Sequence, residues 1–441
     1  MVRRIIAAIA ANLFGQVGNL VIQLLGVPIF LSFWGVEYYG EWLILFTIPG
    51  FFGMSDLGLG TVAINEICMN VSNDKKEDAL SVFQSIWVFI SLVTLFLFLC
   101  AIILVSNFPL DDWMNIKLIS GVNFQYSIIF LLLYSMISMQ FGLLNGIYRS
   151  EGAYAKGQFL ANLLRLIEFG VVLFLIVLGF KALLIACTFL FIRSFGLLLI
   201  GIDIINRYKW FSIGYSSANI STVLRLLKPS LYFLAFPLSN AIIIQGMITA
   251  VGSILGSVAV VAFSTTRTLV NLIKQIMGVI NNSTWAEFSI LLGKGDKLLA
   301  KKLHRRAVQF SFWLSLVAII FLFFFGEIIL EIWTQGNVKV DELFFILMLL
   351  SVAANTMWYT SIIVPISINQ HNRIAKFYFI STIISFFIAI ILMESLGIIS
   401  VPIGLLIIDL IMIPIVFKNS FEILGETFPS FIKLGVFNFK Q

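Results

Sequence analysis

Apolar positions in this chain run on in blocks of about 20 or more residues, with polar residues gathered between them. Blocks such as Ser85 to Val105, Ser127 to Met139 with its flanks, and Phe310 to Phe325 fit a helix of roughly 20 residues crossing about 30 Å of hydrocarbon. The pattern predicts spanning helices at about 8–33, 40–68, 80–106, 121–147, 155–178, 181–205, 229–253, 257–288, 307–332, 342–368, 374–396 and 399–418. The expected fold class is thus an all-α integral membrane protein of about twelve transmembrane helices. The connections are short, which leaves no room for an aqueous domain of about 100 residues.

The basic residues orient these helices. With a cytoplasmic N-terminus, cytoplasmic segments hold 21 Lys and Arg and the outer loops hold three, Lys117, Lys181 and Lys339. That bias satisfies the positive-inside rule at every loop and predicts that both termini are cytoplasmic. Arg3 and Arg4 precede an apolar stretch that resembles a secretory signal. The stretch continues to Phe33 and contains Asn12, Gln16, Asn19 and Gln23, so a retained first helix is expected.

The chain also repeats itself at an offset near 220 residues. Asn19 matches Asn240, Gly35 matches Gly256, Glu66 before Asn73-Asp74-Lys75 matches Glu287 before Gly295-Asp296-Lys297, and Ala155-Lys156 matches Ala375-Lys376. These matches fall on helices of the same order and direction, as duplication of a six-helix unit requires. The expected organisation is an N-terminal half at 1–205, a cytoplasmic linker at 206–228, a C-terminal half at 229–418 and a cytoplasmic tail at 419–441. Because six is even, the halves share one orientation, an arrangement found in secondary transporters that bind substrate between halves.

Composition narrows the function. The chain is 60% hydrophobic and 11% charged, against roughly 25% charged in a soluble domain. Its net charge of +6 reads as topology and contact with lipid headgroups, so nucleic acid is not an expected partner. Cys68, Cys100 and Cys187 are an odd count in apolar segments, and only His304 and His371 supply imidazole. No disulfide framework, metal site or cofactor is expected. No phosphate loop, zinc spacing or nucleophile elbow occurs, which argues against an enzyme. Asp111-Asp112 has no further ligands nearby and reads as a solvated turn.

Charges inside the spans carry the chemical signal, since each is costly unless it faces protein or water. Four bases fall there: Arg165, Arg193, Arg267 and Lys274. Arg267, Asn271, Lys274, Gln275, Gly278 and Asn282 recur along one helix face. Asn12, Gln16, Asn19 and Gln23 do the same in the first helix, and Gln158, Asn162 and Arg165 in the fifth. These stripes predict helices lining a hydrated, partly cationic cavity, or else hydrogen-bonding to one another between helices. The deep acids are Asp56, Glu168 and Asp409, candidates for a coupling ion or gate. Glu168 lies three residues after Arg165, which also allows mutual neutralisation on one face. Asp56 sits among Gly50, Gly53, Gly58 and Gly60, where a helix is expected to break, and Gly278 to Thr284 is the equivalent stretch of the second half. Glu66 and Glu287 end matching helices beside basic loops and are candidate gate residues.

At these residues the chain resembles the polysaccharide transporter family, the O-antigen and repeat-unit flippases of the multidrug, oligosaccharidyl-lipid and polysaccharide (MOP) exporter superfamily. The resemblance spans nearly the whole chain. It rests on the twelve helices in two repeats, the polar first helix, Phe33-Trp34-Gly35 to Gly40, and Ser55-Asp56-Leu57-Gly58-Leu59-Gly60. It implies a MATE/MOP-like fold of two parallel-repeat bundles in the bacterial inner membrane. It also implies export of an undecaprenyl-diphosphate-linked oligosaccharide by alternating access, beside a polysaccharide polymerase and other assembly proteins. Arg267, Lys274, Arg165 and Arg193, with Asn271, Asn19 and Gln16, would then bind the substrate. Two other readings remain open: a cation-coupled multidrug exporter of the same fold, and a membrane-embedded polysaccharide polymerase or ligase.

Overall fold

The computed structural model describes residues 2–431, apart from 54–57, 294 and 369. It is 86% helical, with no strand among the described residues. Nine stretches among them are long and apolar enough to cross a membrane; the longest, Asn372–Leu424, joins two long helices, Asn372–Leu396 and Ser400–Leu424.

Helix α1 covers Val2–Leu45 but is not one rod, because Gly35 adopts φ 74° and turns the chain. A side chain would be strained in that left-handed conformation, and glycine is not. Helices α2 (Thr47–Phe52) and α3 (Leu59–Ser72) are separate, with the left-handed Gly58 ahead of α3. The glycine-rich stretch therefore interrupts the second predicted span, while Asp56 lies outside the described residues. The equivalent interruption in the second half is not found. Helix α11, defined below, runs unbroken through Gly278 to Thr284. One glycine costs a helix about 1 kcal/mol, which a long packed helix tolerates.

The chain continues through α4 (Lys76–Asn107), the short α5 (Leu110–Trp113), α6 (Val122–Ser150), α7 (Tyr154–Val177) and α8 (Ala182–Arg207). It then passes through α9 (Ile220–Ala241), a π-helical turn at Ile242–Gly246, α10 (Met247–Leu255) and α11 (Ser257–Gly293). Helices α12 (Lys297–Trp333), α13 (Glu342–Tyr359), α14 (Ile363–Ser367), α15 (Asn372–Leu396), α16 (Ser400–Leu424) and α17 (Phe428–Phe431) complete it. Asp296 caps α12 by accepting from Leu299 N at 3.1 Å, and Asp341 caps α13 by accepting from Phe344 N at 2.9 Å.

Two compact units result: Met1–Ala241 with Gly256–Val258, and Ile242–Leu255 with Ala259–Gln441. In the first, α1 packs along α7 and α6 along α8. Close approach of α1 to α7 depends on Gly15, where a Cβ would lie 2.4 Å from Nδ2 of Asn162. That amide donates to the carbonyl of Ala11 at 3.1 Å, so the neighbour cannot move without losing a hydrogen bond. The core of this unit includes Phe83, Ile86, Leu144 and Tyr148, all fully buried. In a bilayer, exposed apolar residues such as Phe96, Phe191 and Phe195 meet lipid.

Two polar devices hold the ends of the first unit. Glu41, only 3% exposed, accepts from the backbone amides of Lys117, Leu118 and Ile119 at 2.8–2.9 Å. Asp203 accepts from Tyr148 Oη and Lys156 Nζ at 2.5 Å each and from Arg207 Nε at 2.9 Å, joining α6, α7 and α8. The segment between α8 and α9 docks on α4. Gln84 donates to the carbonyl of Ser212 at 3.2 Å and accepts from Ser217 N at 2.7 Å, while Ser85 Oγ accepts from Asn219 N at 2.8 Å. In the second unit α16 packs on both α13 and α15.

Candidate functional site

The first unit carries an open cavity of about 670 Å³. Its polar wall comes from Asn19 and Gln23 on α1, Arg165 and Glu168 on α7, and Arg193 on α8. Phe46, Tyr134 and Phe189 also line it, with the Phe189 ring 5.5 Å by centroid from each of the other two. Helical geometry explains the placement: residues three and four apart share a face, so Asn19 and Gln23 line the cavity together, as do Arg165 and Glu168.

Glu168 forms its ion pair with Arg193 rather than with Arg165. Arg193 Nε donates to Oε1 at 2.7 Å and NH2 to Oε2 at 2.6 Å, a two-point contact that fixes both planes. The same NH2 also donates to Tyr134 Oη at 3.0 Å. The guanidinium lies 5.1 Å from the Tyr134 ring centroid and 5.2 Å from that of Phe141. Arg165 instead reaches α1 and donates to Asn19 Oδ1 at 2.8 Å. Sequence spacing puts Arg165 and Glu168 on one face, but the register between α7 and α8 decides which base takes the carboxylate. Two guanidinium groups against one carboxylate leave this wall one positive charge in excess.

The polar stripes of α1 and α7 serve two ends. Asn162 bonds to α1, and Tyr154 Oη donates to Asn12 Oδ1 at 3.5 Å, so part of each stripe joins the helices. Asn19, Gln23 and Arg165 face the cavity. Gln16 is exposed and does not line it.

In the second unit, Asp409 on α16 is buried and accepts at one oxygen from Asn355 Nδ2 at 2.7 Å and Trp358 Nε1 at 3.0 Å. The charges of Lys274 and Asp409 act on each other. Arg267, two turns before Lys274 on α11, lies 5.6 Å from the centroid of the Phe263 ring, and its Nε is buried without a hydrogen-bond partner. Among the described residues no carboxylate forms an ion pair with Arg267. Asn271 is half-buried between them on α11.

Glu66 pairs with Arg225 of α9, receiving NH1 at 2.8 Å and NH2 at 2.5 Å. The side chain of Glu287 lies outside the described residues. A double-mutant cycle on Glu66→Gln and Arg225→Gln, read by thermal unfolding, is expected to give a coupling of about 0.5–1 kcal/mol, since Arg225 is largely exposed. Additive effects would show that the pair contributes nothing.

Sequence reasoning missed Tyr134, Asn355 and Trp358. Each is an uncharged residue in an apolar run, so no intramembrane charge marks it. Among the described residues no group of three or more His, Cys, Asp or Glu could hold a metal ion.

No protein-family model and no curated protein matches this sequence. Solved structures do match. A multidrug resistance MATE family transporter of the MOP superfamily, in an inward-facing conformation, aligns with a TM-score of 0.70 at 16% identity, over 92% of this chain and 95% of that one. The lipid II flippase MurJ, in an inward closed conformation, aligns with a TM-score of 0.67 at 15% identity, over 98% and 90%. The chain has the MOP transporter fold. A further MOP superfamily transporter, from Pyrococcus furiosus and described as having a binding pocket of reverse polarity, aligns with a TM-score of 0.62 at 16% identity, over 97% and 96%. The MOP fold makes this a multi-pass membrane protein whose structural neighbours are transporters and flippases.

Proposed function

We propose that this protein flips an undecaprenyl-diphosphate-linked oligosaccharide across the bacterial inner membrane by alternating access of two halves, 1–205 and 229–418, joined by the segment 206–228. Its termini and the tail 419–441 are cytoplasmic, and its product passes to a polysaccharide polymerase, as in O-antigen assembly. The observation that carries this reading is the cationic excess of the polar wall, where Arg165 bonds to Asn19, forms no carboxylate hydrogen bond among the described residues, and faces a cavity of about 670 Å³. A diphosphate accepts several charge-assisted hydrogen bonds, which Arg forks suit. Arg267 and Lys274 supply further cations in the second unit. The aromatic wall of Phe46, Tyr134 and Phe189 offers sugar rings an apolar face.

The drug-exporter reading draws on the buried acids. Glu168, however, is already neutralised by Arg193, and Asp409 is buried and accepts hydrogen bonds from Asn355 and Trp358. Neither is a bare anion awaiting a cationic drug. A polymerase or ligase reading lacks any side-chain group arranged for covalent chemistry in the cavity.

The test is complementation. The gene is expected to restore surface polysaccharide to a cell lacking its repeat-unit flippase. Extrusion of cationic dyes without restored polysaccharide would replace this reading with the drug-exporter one.

A further inference from the structure

A pair of cavities lies in the second unit, away from every residue assigned above. The first, of about 290 Å³, is walled by Phe312, Leu316 and Ile319 of α12, Met357 of α13 and Phe417 of α16. Its two hydroxyls are satisfied by their own helices: Ser315 Oγ donates to the carbonyl of Phe312 at 3.0 Å and Thr356 Oγ1 to that of Ala353 at 2.9 Å. Nothing in this cavity asks for water.

The second cavity, of about 630 Å³, shares Ile413, Phe417 and Phe428 with the first and adds Lys418, Glu422 and Glu426. It opens where the apolar run of α16 gives way to charge, the depth at which phospholipid headgroups sit. Glu426 is neutralised by Arg305, whose Nε donates to it at 2.5 Å. Lys418 and Glu422 are exposed, one turn apart, and form no ion pair with each other among the described residues. The mouth therefore presents the cation of Lys418 and the anion of Glu422 side by side next to an apolar trough, with the Lys301 ammonium close to Gly425 at its edge.

We propose that this double cavity binds an aminophospholipid of the surrounding bilayer, with its phosphate on Lys418, its primary ammonium on Glu422 and an acyl chain in the apolar part. Charge complementarity selects the occupant. An anionic headgroup satisfies Lys418 but is repelled by Glu422, and a quaternary ammonium cannot donate a hydrogen bond to that carboxylate. The site is independent of what the protein transports.

The test is native mass spectrometry of the full chain in detergent with phosphatidylethanolamine and phosphatidylglycerol at equal concentration. Wild type is expected to retain phosphatidylethanolamine at least tenfold over phosphatidylglycerol. Glu422→Lys, an exposed change that leaves the fold intact, is expected to invert that preference. Ala353→Phe, which fills the apolar part, should lower retention of both. Equal retention of the two lipids by wild type, or an unchanged ratio in Glu422→Lys, overturns the assignment. Displacement of the lipid by soluble glycerophosphoethanolamine at the same concentration refutes the acyl half. Binding that appears only after residues 432–441 are removed would give the groove to the chain's own end instead.

Discussion

Replacing Glu168 with Gln is expected to destabilise the first unit by about 3–5 kcal/mol, because it leaves the Arg193 guanidinium buried without its counter-charge. Glu168 is 2% exposed and Arg193 14%, so the pair is largely desolvated and the remaining charge is poorly compensated when its partner is lost. The readout is thermal unfolding in detergent together with the yield of folded protein, and both should fall. The double change Glu168→Gln with Arg193→Met should recover part of the loss, since removing both charges removes the stranded one. Tyr134 then loses a donor, which limits the recovery. Arg165→Gln is the control. Its hydrogen bond runs to an amide from an exposed side chain, and its loss should cost under about 1 kcal/mol. An unaltered melting curve for Glu168→Gln, or a double variant as unstable as the sum of its singles, would show that the pair is not the structural centre of the cavity wall.

The contrast between Glu168 and Arg165 shows what a sequence can and cannot disclose about this protein. Hydropathy located most of the spans, because the requirement for roughly 20 apolar residues is local to each segment, but 40–68 is interrupted and the helix at 257–288 is not among the nine apolar stretches. It located the deep charges for the same reason. Pairing is different. Arg165 and Glu168 share a face of α7, yet the carboxylate goes to Arg193 on α8, a choice set by the register between two helices that no local pattern encodes. The break near Gly58 was legible because several glycines cluster there, whereas Gly278 alone did not interrupt α11. Gly35 turns α1 through a single left-handed residue. Asn355 and Trp358 were invisible as partners of Asp409, since they lie more than 50 residues from it and nothing about an indole in an apolar run names its acceptor.

Arg267→Met is expected to abolish polysaccharide export while leaving the protein as stable as wild type or more stable. The Nε of Arg267 is buried without a hydrogen-bond partner, the Phe263 ring centroid lies 5.6 Å from the guanidinium, and among the described residues no carboxylate forms an ion pair with it. A desolvated cation with so little return is a net cost to the fold, and an apolar side chain of similar length removes that cost while keeping most of the packing. A residue retained for stability would behave in the opposite way. Arg267 is therefore read as a group held ready for an anion, with strain relieved when a phosphate supplies the missing acceptors. Lys274→Met should lose export as well, but with a modest loss of stability, because it also exposes the Asp409 carboxylate to an unbalanced field. Two measurements decide the matter: surface polysaccharide in a flippase-null cell and the melting temperature of the purified variants. If Arg267→Met lowers the melting temperature and export falls only in proportion to folded protein, Arg267 is structural. If export survives at wild-type level, the diphosphate is held elsewhere, and Arg165 on the wall of the first cavity, bonded to Asn19, is the next candidate.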